Sequence, residues 1–151
     1  MALDLYEQTL DLLGDFAAAR LPYALAGGLA LAVHGVPRAT VDIDVLVLPE
    51  DLERALAIAA QREYTVLAMP MRFPDGMELR RVSRIEGEET LTLDLILATD
   101  QFLAVWQGRE DVPTDRGPIT VVSRAGLIQM KAAAARPQDL ADIARLQELD
   151  R

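Results

Sequence analysis

Apolar and polar residues follow two different periods along this chain of 151 residues. Between Leu3 and Phe16, apolar residues recur near helical spacing, which predicts an amphipathic helix that ends before Pro22. The segment 90–97 alternates instead, with leucines on one face and mostly polar residues, including Asp94, on the other. Such alternation is typical of a strand. The two periods together predict a fold that combines helices with a sheet.

Turn-forming residues and apolar runs place the remaining elements. They predict strands at 23–26, 41–48, 64–68, 77–85 and 119–122, the last at an edge, and helices at 29–34, 49–62, 100–106, 124–135 and 137–149. Loops are expected at 70–76 and 111–118. The fold class is α/β (α+β): a short mixed sheet flanked by helices, with a C-terminal helical portion. We expect one domain over 1–151, with the sheet in 23–122 and the C-terminal helices in 123–150.

Composition narrows the class of protein. Fifteen basic and 24 acidic residues give a net charge of −9, so non-specific nucleic-acid binding is not expected. No apolar run approaches the length of a membrane span, and the N-terminus lacks the pattern of a signal peptide. A cytoplasmic protein with no membrane association is therefore expected. The absence of cysteine excludes disulfides and thiolate catalysis.

Two acidic residues interrupt the strand predicted at 41–48. Successive side chains of a strand alternate between faces, so Asp42 and Asp44 point the same way, about 7 Å apart. The apolar residues around them are expected to point into a core: Val41, Ile43, Val45 and Val47. Two carboxylates this close repel each other and lose hydration, and a divalent cation commonly neutralises such a pair.

Asp94 is a third acid in an otherwise apolar strand. If its strand lies beside the strand of Asp42, the three carboxylates converge on one face and can hold one or two Mg²⁺ ions. The alternative is that these acids line a solvent-facing edge, or pair with Arg38 or Arg80. If only one acid interrupted a strand, that alternative would be preferred. Here two acids lie two positions apart in one strand and a third interrupts another strand, which favours a metal site.

A glycine pair, Gly27–Gly28, lies between a predicted strand and a predicted helix. Glycine lets backbone amides approach a ligand closely, so this turn could cradle a phosphate. Two glycines between a strand and a helix more often indicate only a tight turn. Lys131 lies on an otherwise apolar and alanine-rich helix, where it either extends to solvent or places one positive charge over a triphosphate.

Other polar and aromatic residues favour structural roles. The spacing of Arg136 and Asp139 suits an ion pair within the last helix. His34, the only histidine, is expected to cap or pack against a helix end. Tyr23 and Trp106 are expected in the core.

The order of these motifs resembles a known superfamily. Gly27–Gly28, then Arg38 to Asp44 with its Asp-x-Asp pair, then Asp94 on a later strand, resemble the nucleotidyltransferases with the DNA polymerase β-like fold. The tail, 131–142, narrows the resemblance to AbiEii-like nucleotidyltransferases, the toxins of type IV toxin–antitoxin systems, and their small relatives. The resemblance covers roughly residues 23–146.

The resemblance implies transfer of a nucleoside monophosphate from a nucleoside triphosphate, such as ATP, to an acceptor hydroxyl, with Mg²⁺ or Mn²⁺. Asp42 and Asp44 would hold both metals and the phosphates, and Asp94 would complete the catalytic metal site and help to activate the acceptor. Nucleotide-binding roles would fall to a set of five residues: Gly27, Gly28, Arg38, Thr40 and Lys131.

The acceptor and any protein partner stay open at this point. A small molecule, a tRNA or a protein could accept the nucleotide, and an antitoxin could be the partner. The chain is shorter than the toxins of that family, which favours a small-acceptor enzyme or a subunit that needs a partner. The alternatives are an antibiotic-modifying enzyme, acting on lincosamides or aminoglycosides, and a non-catalytic antitoxin-like protein of the same fold.

Overall fold

The computed structural model describes residues 4–37 and 39–149. The helices are α1 (Leu5–Ala18), α2 (Gly27–Val33), α3 (Leu52–Ala60), α4 (Leu103–Gln107), α5 (Arg124–Ala134) and α6 (Pro137–Glu148). The strands are β1 (Ala24–Ala26), β2 (Asp42–Val47), β3 (Val66–Leu67), β4 (Met71–Arg72), β5 (Glu78–Glu86), β6 (Glu89–Leu97), β7 (Glu110–Val112) and β8 (Ile119–Val121). Short 3₁₀ turns at Pro49–Asp51 and Asp100–Phe102 lead into α3 and α4.

The strands form one mixed sheet in the order β3-β5-β6-β2-β1-β8-β7, with β4 also paired to β5. The pairs β2–β6 and β1–β8 are parallel, and the others are antiparallel. The two longest strands, β5 and β6, form a hairpin around Gly87 and Glu88. The expected α/β class, with a mixed sheet flanked by helices, is confirmed.

The leucine face of β6 lies in the core, as its alternation predicts. Leu93 and Leu95 are fully buried, together with Ile43 and Val45 of the neighbouring β2. Helix α1 contacts β2 and α3, and its buried stripe contributes four residues to the same core: Leu10, Leu12, Leu13 and Phe16. The opposite face of the central strands therefore carries the polar residues of the alternating pattern.

Several predictions about the strands and their surroundings were wrong. The strand at 119–121 is not at an edge, because β7 pairs with it on its outer side. The predicted loop at 111–118 therefore begins within a strand, and only its second part forms the turn in which Thr114 and Gly117 bond each other. Val41 was expected in the core but is 76% exposed. It precedes the first residue of β2 that pairs with β6, so no neighbouring strand covers it.

The C-terminal helices begin as the sequence predicts. The Ser123 hydroxyl accepts a hydrogen bond from the Gly126 amide at 3.0 Å and caps α5. Pro137 occupies the first turn of α6, where its missing N–H costs nothing. Helices α5 and α6 contact each other. Among the described residues, no helix combines the length and apolar character that crossing a membrane requires.

Candidate functional site

The three acids share one face of the sheet. Strand β6 lies parallel to β2, with Asp94 directly beside Asp44 and Thr92 directly beside Asp42. Residues paired in register point to the same face, and so do residues two apart along a strand. The expectation that the strand of Asp94 lies beside that of Asp42 is thus confirmed. We call Asp42, Asp44 and Asp94 the acid row.

Electrostatic repulsion within the acid row is strong. Burial, followed by the negative charges of Asp94 and Asp42, raises the pKa of Asp44 to about 7. The positive charges of Arg81 and Lys131 oppose it. The pKa of Asp42 is raised as well, mainly by burial and then by Asp94. The site therefore favours a cation or a proton near Asp44 at neutral pH.

Arg81 is the partner of Asp94, and sequence reasoning missed it. Its guanidinium donates hydrogen bonds of 2.8 Å from Nε and 3.0 Å from Nη2 to the two carboxylate oxygens. The two residues are register partners on β5 and β6, whereas Arg80 lies opposite Leu95 and points to the other face. The proposed alternative partner, Arg80, was thus wrong by one residue for Asp94.

A signal for Arg81 exists in the sequence. Gly87–Glu88 reads as a two-residue turn, and such a turn pairs the residues on either side of it, Glu86 and Glu89. Counting back from that pair along both strands brings Arg81 opposite Asp94. The register of a hairpin therefore identifies this neighbour, although the period of one strand alone does not.

Gly27 packs directly against the acid row, and Gly28 packs against Thr40. Gly27 begins α2 with φ +64°, and a Cβ added to it would stand 2.0 Å from Oδ2 of Asp44. A Cβ on Gly28 would stand 2.8 Å from Cβ of Thr40. The Thr40 hydroxyl in turn donates to the Asp42 carbonyl at 3.3 Å. Close packing against Asp44 thus favours glycine at 27, and close packing against Thr40 favours glycine at 28. A phosphate-binding role for the pair stays a prediction.

Lys131 is held by two carboxylates of α6. Its ammonium lies 2.9 Å from Oδ2 of Asp142 and 3.5 Å from Oδ1 of Asp139, and all three side chains are largely buried. Arg136 also binds Asp139, at 2.7 Å, which confirms the expected ion pair. Its backbone N–H bonds the same carboxylate at 3.1 Å and completes a capping box. Lys131 influences the pKa of Asp44, but its charge is already shared with α6.

The other candidate residues that the structure describes make contacts within the fold. His34 Nε2 donates to the Val122 carbonyl at 2.8 Å and ties the end of α2 to the segment before α5. Tyr23 is buried, and its hydroxyl accepts a bond from the Thr120 amide at 3.1 Å. Trp106 is buried beneath the Arg109 guanidinium. Arg38 lies outside the described residues.

The donor chemistry of the acid row fits Mg²⁺ or Mn²⁺, which prefer carboxylate oxygens. Within the described part of the chain, however, no three acidic or histidine side chains already stand close enough together to hold an ion. Asp94 illustrates why, since Arg81 engages both of its oxygens. The acids can supply a metal site, but their side chains are not arranged as one.

Neither a protein-family model nor a curated protein matches the sequence. Solved structures do share its fold. A proposed nucleotidyltransferase from Thermotoga maritima is 16% identical, with a TM-score of 0.64 over 100% of this chain and 97% of that protein. A lincosamide antibiotic adenylyltransferase with bound lincomycin is 16% identical, with a TM-score of 0.62 over 93% of this chain and 96% of its own.

A third solved structure of similar fold contains a nucleotide-modified antibiotic, adenylyl-2″-tobramycin. ANT(2″)-Ia, in complex with adenylyl-2″-tobramycin, is 19% identical and has a TM-score of 0.60 over 93% of this chain and 87% of its own. The chain therefore has the fold of the nucleotidyltransferases. At 16–19% identity, the likeness shows the fold alone.

Proposed function

We propose that this protein is a metal-dependent nucleotidyltransferase that moves a nucleoside monophosphate from a nucleoside triphosphate to an acceptor hydroxyl. The single observation that supports this most is the acid row, whose Asp44 and Asp94 are register partners beside the Gly27 turn. This arrangement lies in a fold that nucleotidyltransferases share. The chain 1–151 would act as one catalytic domain.

The proposed reaction is an in-line displacement at the α-phosphorus. The acceptor oxygen forms a bond to that phosphorus, the bond to the oxygen bridging the α- and β-phosphates breaks, and pyrophosphate leaves. Asp94 would take the acceptor proton, either directly or through a water molecule. Bound divalent ions would neutralise the phosphates and stabilise charge on the leaving group.

The other residues of the site would position the nucleotide. Asp42 and Asp44 would hold the cations against the phosphates, because both carboxylates lie on the same face beside Asp94. Gly27 and Gly28 would offer backbone amides to the triphosphate. Thr40 supports this turn by its contact with Gly28. Lys131 would supply positive charge from its place between Asp139 and Asp142.

A small hydroxyl compound is the acceptor we favour. The solved structures of similar fold include one bound to lincomycin and one bound to adenylyl-2″-tobramycin. A toxin of the AbiEii type, with an antitoxin partner, was the narrower prediction from the tail at 131–142. Nothing in the comparisons supports that partner, so we place it second.

Nucleotide transfer can be tested directly. The protein would be incubated with each of four nucleoside triphosphates, with Mg²⁺ or Mn²⁺, and with lincomycin, tobramycin or tRNA. Pyrophosphate release and the mass of the acceptor would be measured. We expect transfer by the wild type and a loss of at least about 100-fold in Asp44→Asn. Asp115→Asn, in the exposed turn between β7 and β8, is the matched control and should retain full activity. Transfer by Asp44→Asn at the wild-type rate would refute the proposed site.

A further inference from the structure

We propose that Arg81 is the internal counter-ion of the acid row: it neutralises Asp94 in the metal-free protein and competes with the divalent cation for that carboxylate. Arg81 is then a positioning residue that sets the metal affinity of the site. This inference rests on the proposed function, because it takes Asp94 to be part of the metal site.

The geometry of the pair supports a counter-ion role. Asp94 is buried, with 6% of its side chain exposed, whereas 40% of the Arg81 side chain is exposed. A buried carboxylate needs a partner charge, and a guanidinium that bonds both oxygens satisfies it better than a single contact would. Arg81 is also close enough to lower the pKa of both Asp42 and Asp44. One cation thus offsets part of the repulsion among three acids.

Competition with a metal follows from the same geometry. A divalent ion bound to Asp94 would lie close to the guanidinium, and like charges a few ångströms apart repel each other. The hydrogen bonds at 2.8 and 3.0 Å hold the carboxylate towards β5. This agrees with the finding that, over the residues described, the acids do not already form a three-ligand group.

The surroundings of Arg81 allow it to withdraw. On its outer side, the Ala68 amide donates to the Arg81 carbonyl at 2.9 Å, so the nearest residue of the edge has only a methyl side chain. The edge is also interrupted there, since β3 ends at Leu67 and β4 begins at Met71. The Arg81 side chain, which is 40% exposed, therefore has room to move its guanidinium towards solvent.

The test compares Mn²⁺ binding, by calorimetry and electron paramagnetic resonance, in the wild type and in Arg81→Gln. Neutralising Arg81 should tighten Mn²⁺ binding by about tenfold, because a repulsive charge is removed. Melting in EDTA should show the variant to be less stable than the wild type, and Mn²⁺ should raise its Tm by more. General damage to the site would instead weaken Mn²⁺ binding.

Two further variants complete the design. Arg80→Gln, on the same strand but the opposite face, should bind Mn²⁺ as the wild type does. Arg81→Lys keeps the charge without the two-bond contact, so its Mn²⁺ affinity should lie between those of the wild type and Arg81→Gln. If Arg81→Gln does not fold, Arg81→Lys takes its place in the comparison.

The possible failures are distinguishable. Mn²⁺ binding that is unchanged or weaker in Arg81→Gln, or in Arg81→Lys if only that variant folds, would overturn the counter-ion role and leave the metal site standing. An absence of Mn²⁺ binding in the wild type and in every variant would overturn the metal site of the proposed function, and the counter-ion role with it.

Discussion

The carboxylate of Asp44 occupies the space that a side chain on Gly27 would need. An ideal Cβ on Gly27 would stand 2.0 Å from Oδ2 and 2.9 Å from Cβ of Asp44. The glycine also has φ +64°, in the left-handed region that side chains with a Cβ rarely adopt. The turn and the acid row are therefore fitted to each other, and a change in either should disturb both.

Gly27→Ala should lower the free energy of unfolding by about 1–3 kcal/mol, from the left-handed backbone and the contact with Asp44 together. Urea denaturation measures this. Gly14→Ala is the matched control: Gly14 lies inside α1 with open space around it, and alanine there should raise stability by about 0.5–1 kcal/mol. If Gly27→Ala were as stable as the wild type, Asp44 would not lie against the turn.

The stability of the metal-free protein should fall as pH rises towards neutrality. Folding raises the pKa of Asp44 from 3.8 to about 7, so the folded state binds more protons than the unfolded state between those values. Stability contributed by protonated Asp44 is fully present below about pH 4 and is lost by about pH 7. Because the side chain is partly exposed, we expect a decrease on the order of 1–3 kcal/mol.

Asp44→Asn isolates this contribution, since it removes the titrating group at nearly constant size. Denaturation in EDTA at several pH values between 5 and 8 should give a flatter profile for Asp44→Asn than for the wild type. At pH 8 the variant should be at least as stable as the wild type, because repulsion from Asp42 and Asp94 is gone. A variant that is much less stable at pH 8 would show Asp44 to be the partner in a structural ion pair.

Asp139→Ala should be strongly destabilising, by about 3 kcal/mol or more. It removes a buried acceptor that serves the Arg136 backbone and guanidinium and the Lys131 ammonium. Glu86→Ala, which breaks an exposed ion pair with Arg84, is the control and should change stability by less than about 1 kcal/mol. Calorimetric melting at pH 7 compares them. If Asp139→Ala and Glu86→Ala lost the same stability, the burial of Asp139 would add little to the strength of its contacts.

Lowering the pH should weaken the contacts of Asp139 with Arg136. Hydrogen bonds and ion pairs with Arg136 hold the pKa of Asp139 below its ordinary value. Its stabilisation is therefore present above about pH 4 and is lost as pH falls through the lowered pKa. The wild type should lose stability in this range more steeply than Asp139→Ala does.

His34→Ala should reduce stability without reducing nucleotide transfer. The imidazole donates a hydrogen bond to the Val122 carbonyl, and its loss leaves that carbonyl without this donor at a cost of about 1–2 kcal/mol. Melting and the transfer assay on one preparation separate the two effects. A variant that kept its Tm but lost transfer would give His34 a catalytic role.

The sequence predicts the central part of the site well because the signal is local. The two-residue period of β2 places Asp42 and Asp44 on one face, and the same period in β6 places Asp94 opposite its leucines. Burial of those leucines fixes which face remains polar. The starts of α5, after Ser123, and of α6, at Pro137, are equally local and match the helix starts predicted at 124 and 137.

Other features depend on distant parts of the chain. Strands β4 and β7, which the sequence pattern did not predict, have two and three residues, too few for a period to be recognised. The ion pairs of Lys131 with Asp139 and Asp142 depend on how α5 crosses α6, which no single helix pattern gives. Val41 is a residue type typical of strands, but the pairing of β2 with β6 begins only at Asp42, so Val41 stays exposed.

The hairpin turn at Gly87–Glu88 carries a consequence for sequence change. Surface turns usually tolerate an added residue. One inserted here would slide β5 along β6 by one position, so Asp94 would face Arg80 or Val82, and the guanidinium of Arg81 would turn towards the apolar side of the sheet. A short, exposed turn remote from the acids thus fixes their charge balance through its length alone. Homologues of this chain should therefore conserve the number of residues in this turn more strictly than the identity of those residues.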